Sequence, residues 1–285
     1  MGARRGIFAL QCKRARRSGT WRRALLVFMA VLAAGFAQTC LHFWGHDVAE
    51  LPAASFAWTG NHGAMQTPIF GLFVYFLMIP CSTAIFSDRF FRDVRQKQAN
   101  ALITRSSIVR YVVSTALITF LAAFLTVFLA LLFSQVLAFL VFPAHAGQDA
   151  FAEFNTPASY EMAQAPGAES YLLASLMGKD RYGFNLLISV YEALWSGILA
   201  LSSFAISLYT RRSRLLILGA PTLLLLTLSS FLPSKVNVMG TYLGLSFMWG
   251  SRGTILGLMG LPFLTAAVAC GAIMFALATK RDVLL

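Results

Sequence analysis

The stretch SDRFFRDVRQKQANALITRSSIVRY, Ser87 to Tyr111, is the only long polar and basic segment between two hydrophobic blocks. Read as a helix, it sets Phe90, Phe91, Val94, Ala101 and Leu102 on one side at three- and four-residue spacing. Asp88 with Arg92, and Asp93 with Lys97, stand at i,i+4 with the acid first, the favourable order. The amphipathic part runs for about 15 residues, too short and too charged to cross a bilayer. It is expected to lie at a membrane surface with its charges toward water.

Working outward, the chain has 285 residues, 58% hydrophobic and only 12% charged, which excludes an ordinary soluble domain. Its apolar residues form blocks long enough to span, since a bilayer needs about 20 residues of helix. Six spans are expected: Ala24–Phe43, Pro68–Phe86, Tyr111–Phe142, Asn185–Leu208, Leu215–Leu232 and Thr254–Leu277. The fold class is therefore all-α integral membrane, with a basic segment at 1–23 and a six-span domain at 24–285. Of 23 Lys and Arg, 19 flank these spans on one side: the N-terminal tail, 87–110, 209–214 and the C-terminal tail. The opposite loops keep Lys179, Arg181, Lys235 and Arg252 against seven acids. The positive-inside rule then puts both termini and the 87–111 stretch in the cytoplasm of a bacterial-type plasma (inner) membrane. The net charge of +12 is read as topology, not nucleic-acid binding, because no basic platform interleaved with aromatics is present.

The first 23 residues hold eight basic residues and no acid, and include IFAL. A short interfacial helix against anionic headgroups is expected, with a frayed topogenic tail as the alternative. A secretory leader also has this pattern, but the apolar run is long enough to span and AAGFAQTC is a weak cleavage site. His42 and His46, one turn apart beside Asp47 and Glu50, could begin a metal site; without a third ligand at fixed spacing, no metal is assigned. The third block is too long for a bilayer of about 30 Å and is expected to project outward. It feeds an outer loop at 143–183. A second outer segment, 233–253, is aromatic and glycine-rich, which fits short re-entrant or interfacial helices buried in protein. The four cysteines form no C-x-x-C pair and read as free buried thiols.

Glu192 is the only carboxylate inside a span, between Tyr191 and Trp195. A charge near mid-membrane costs about 2.5–3.5 kcal/mol, so these three are candidates for a transport path or a proton-linked group; a Glu kept neutral or paired is the alternative. No G-x-x-x-x-G-K-S/T phosphate loop, H-E-x-x-H or G-x-S-x-G occurs, so neither nucleotide hydrolysis by that route nor catalysis is assigned to this chain.

In its 87–111 stretch and its layout, the chain resembles the permease subunits of ABC transporters of the ABC-2 type. The family's cytoplasmic segment after span two starts on an acid, matched by Asp88. It runs as an amphipathic coupling helix, here about 87–105, into a Leu-x-Thr-Arg-like tract, matched by Leu102-Ile103-Thr104-Arg105. Arg110-Tyr111 matches the basic-aromatic approach to span three, and Lys280-Arg281-Asp282 the family's ending; the common glycine after the acid is absent. The resemblance implies a non-enzymatic exporter subunit. It implies an ABC ATPase partner in two copies that binds the ATP, and a second permease protomer, identical or a sister chain. The coupling residues would be Asp88, Arg89, Arg92, Asp93, Arg95, Lys97, Thr104 and Arg105. A path between Phe-rich spans suits an amphipathic or lipid-like substrate. A secondary carrier and a non-transporting membrane scaffold or sensor are the rival readings.

Overall fold

A computed structural model describes residues 3–58, 68–98, 107–145, 173, 176, 179–210, 213–233, 237–243 and 254–279. Among these residues every regular element is helical. Helix α1 covers Ala3–Arg16, and α2 covers Gly19–His42. Thus α2 begins before the expected Ala24, its first turn drawing in Arg22 and Arg23. After a 3-10 turn at Val48–Glu50 comes α3, Ala54–Ala57, which is fully buried. The described part of this connection packs on the bundle, the Ala54 N–H donating to the Pro143 carbonyl at 2.8 Å.

The second span is segmented: α4 (Pro68–Leu72), a π-helical turn (Phe73–Leu77) and α5 (Met78–Ala84). Single π turns inside helices cluster at functional sites. Beyond α5, Ile85 is extended and Phe86 is left-handed at φ 63, so the chain turns a corner before α6, Arg89–Arg95. Helix α7, Ile108–Val141, is 34 residues long. At 1.5 Å per residue that is roughly 50 Å, well beyond a bilayer's apolar thickness. Then come α8 (Arg181–Tyr209), α9 (Arg214–Phe231), a π-helical turn (Val238–Leu243) and α10 (Ile255–Thr279). Pro221 and Pro262 lie inside α9 and α10 without ending them.

Among the described residues six stretches are long and apolar enough to cross a membrane: α2, Ile69–Arg95, α7, α8, α9 and α10. This agrees with the six blocks of the sequence. Their burial differs widely. The apolar window of α8 is 78% buried, against 17% for α9 and 22% for both α2 and α10. Helix α8 is therefore the centre of the bundle, packed on α5, α7, α9 and α10, while α9 and α10 present apolar faces outward.

Two devices hold α8 to its neighbours. At Gly197 a Cβ would stand 2.7 Å from the Phe120 ring, so only glycine admits the stacked Phe120–Phe124–Phe128 ladder. Polar side chains bridge the helices: Ser196 Oγ to Ser82 Oγ at 2.7 Å, Gln135 Nε2 to Ser189 Oγ at 2.7 Å, and Thr83 Oγ1 to the Leu218 carbonyl at 2.8 Å. Small residues and interhelical hydrogen bonds are how helices associate when lipid removes the hydrophobic drive. Within 233–253, the described turn has Val238, Met239, Tyr242 and Leu243 buried. The cysteines are only partly buried, and Cys270 is exposed, contrary to the expectation of buried thiols.

Candidate functional site

The described part of the 87–111 stretch, residues 87–98 and 107–111, sits at the end of the bundle where α1, α6, the start of α7 and the start of α9 meet. Its helix is shorter than expected. Helix α6 ends at Arg95, Gln96 caps it, and Lys97 turns left-handed at φ 57. The predicted run to about 105 is therefore broken, and Ala101, Leu102, Thr104 and Arg105 lie outside the described residues.

The carboxylates do not face water, as the sequence reading had them: Asp88 and Asp93 are both fully buried. The expected Asp88–Arg92 pair forms, with Arg92 Nη2 2.5 Å and Nε 3.0 Å from Asp88 Oδ1. The other carboxylate oxygen meets Arg214 Nε at 2.5 Å, from the first turn of α9. Asp93 does not reach for Lys97. It points inward to Arg89 Nη2 at 2.8 Å, Arg14 Nη1 at 3.4 Å and the Tyr111 hydroxyl, which donates at 2.7 Å. Two acids thus bind α6 to α1, α7 and α9. Buried carboxylates are tolerated because each meets at least two cations or donors.

The apolar side of α6 is also occupied from within the chain. Phe90 and Phe91 are buried; Phe90 belongs to a buried cluster with Tyr111, Val112, Phe204 and Leu208, its ring centroid 6.3 Å from that of Tyr111. Both rings are spent on contacts within the chain and are not presented to a partner. What remains exposed is the polar tip, Arg95, Gln96, Lys97 and Gln98, with Arg89 and Arg92 half-buried.

Arg14, Tyr111 as an acid's partner, and Arg214 were not found from the sequence. One signal for them existed: Asp93 stands three residues after Phe90, so it shares the face that the phenylalanine buries. A buried acid demands partners.

The second candidate site lies inside α8. Glu192 is fully buried about 16 Å along the helix from Arg181, at 1.5 Å per residue. Trp195 and Tyr191 are buried beside it, their rings edge to face with centroids 6.5 Å apart, and Tyr75 of the π turn lies within electrostatic reach of the carboxylate. At the opposite end His46 Nδ1 lies 2.9 Å from Glu50 Oε2, an exposed pair. Among the described residues no three His, Cys, Asp or Glu converge as metal ligands.

Compared with protein-family models, curated proteins and solved structures, the chain matches none of them.

Proposed function

We propose that the chain is the transmembrane permease subunit of an ATP-driven exporter of the ABC-2 type, driven by a separate ATPase subunit in two copies and paired with a second permease protomer. One observation carries the reading. A short helix at the basic end of the bundle offers a polar tip outward and is tied on its inner side to α1, α7 and α9 by two buried carboxylates. A force applied at Arg95–Gln98 would reach four elements without slack, which is what coupling to a motor requires. The surplus of basic residues at this end supports a cytoplasmic location for it and for both termini. The outward apolar faces of α9 and α10 suit lipid, the second protomer and an amphipathic substrate. ATP belongs to the partner, and this chain would catalyse nothing itself.

The test is capture. A tagged chain purified from its native membranes in mild detergent should retain an ATPase. Arg95→Glu with Lys97→Glu, both on exposed side chains, should release it and stop ATP-dependent transport. A wild type that never retains an ATPase, or transport untouched by the double charge reversal, overturns the coupling assignment. The buried Glu192 favours one rival, a proton-linked carrier. Proteoliposomes of this chain alone that move substrate under a proton gradient, and lose that on Glu192→Gln, would decide for it.

A further inference from the structure

Between the α1–α2 junction and α6 lies a cavity of about 520 Å³. Among the described residues six cationic side chains line it, Lys13, Arg14, Arg17, Arg23, Arg89 and Arg92, and no carboxylate does. The nearest acids, Asp88 and Asp93, stand behind the wall and hold Arg14, Arg89 and Arg92 through the ion pairs already described. They orient the guanidinium groups and leave a surplus of positive charge in front, because Asp88 also shares itself with Arg214. The Nε of Arg89 is fully buried with no acceptor among the described residues.

The floor of the cavity adds to this field. Gly19 and Thr20 line it, and they form the first turn of the 24-residue α2. Ser18 precedes that turn without capping it by its side chain, and the turn contains no acid. Its free N–H groups and dipole therefore favour an anion. Like charges held together at such density repel unless something negative sits among them. A phosphate ester has the size, charge and acceptor count to take several of these donors at once.

We infer that this cavity is a binding site for a phosphate-bearing group. The site lies where the apolar run of α2 begins, a position that suits a lipid headgroup, and Leu10 and Phe86 give its wall an apolar side. A soluble phosphate compound carries the same chemistry, and the test separates the two. The inference does not rest on the exporter reading.

Binding of short-chain dihexanoyl phosphatidylglycerol, dihexanoyl phosphatidylcholine and inorganic pyrophosphate is measured by calorimetry on the purified full chain in uncharged detergent. The phosphatidylglycerol should bind, and the phosphatidylcholine at least about tenfold more weakly. Lys13→Gln with Arg17→Gln, which removes no ion pair seen among the described residues, should weaken it by about tenfold or more. Arg95→Gln with Lys97→Gln removes the same charge outside the cavity and should leave affinity within about twofold. Pyrophosphate binding as tightly, with the same dependence on Lys13 and Arg17, assigns the site to soluble phosphates. Binding of neither ligand, or equal loss in both double variants, overturns the inference. Should the cavity variant fail to fold, Arg17→Gln alone is compared with Arg95→Gln by the same criterion.

Discussion

The basic end of the bundle and its middle are held by opposite means. At the end, two fully buried acids gather Arg89 and Arg92 from one turn away, and Arg14 and Arg214 from far along the chain. In the middle, α8 is held by a missing side chain at Gly197 and by neutral hydroxyl bridges such as Ser196 to Ser82. Charge works where arginines can keep part of themselves in water. Where they cannot, only small groups and short hydrogen bonds remain affordable. The end is thus built of a few strong, separable attachments, and the middle of many weak ones that must all fit together.

Removing an acid should break the end most severely. Asp93→Ala strips a partner from Arg89, Arg14 and Tyr111, and should destabilise by about 3 kcal/mol, the low end for breaking a buried pair. The low end applies because Arg14 and Arg89, 26% and 19% exposed, can turn toward water. Thermal melting in detergent measures it; a wild-type melting point would mean the ion pairs hold nothing. In the middle, Gly197→Val forces branched carbons onto the Phe120 ring and should cost about 1–3 kcal/mol, partly recovered by Phe120→Ala in the same chain. An equal loss in the double variant would show that α7 and α8 do not meet there. Ser196→Ala, a single hydroxyl bridge, should cost only about 0.6 kcal/mol by the same melting assay. Arg95→Glu should leave stability within about 0.5 kcal/mol, since its side chain is exposed, while weakening ATPase retention if the proposed coupling is right. A large melting shift in that variant would place Arg95 in the structural clasp instead.

The two regions were also unequally legible in the sequence. Long apolar blocks announce themselves, so the spans were found to within a few residues at most ends. The first was the exception, because the helix absorbs Arg22 and Arg23, which hydropathy assigns to a tail. The Asp88–Arg92 pair was legible because i,i+4 neighbours are set by helix geometry alone. Arg14 and Arg214 as partners were not, since their meeting with α6 depends on how separate helices stack. The length of α6 was misread because nothing in QKQ signals a left-handed Lys97; lysine rarely adopts that conformation. Gly197 has no sequence signature that distinguishes a contact glycine from a tolerated one. The cationic cavity was visible only as a count of arginines until folding set them around one space.

The corner at Phe86 has a mechanical consequence. A residue with a bulky side chain held at positive φ costs about 1–3 kcal/mol in backbone strain, tolerated here because the Phe86 ring is buried. Such an elbow resists bending in both directions, since relaxing the backbone would mean pulling the ring from its socket. The buried Phe86 ring therefore fixes the angle at which α6 leaves the second span, and a change in that angle would require the ring to leave its socket.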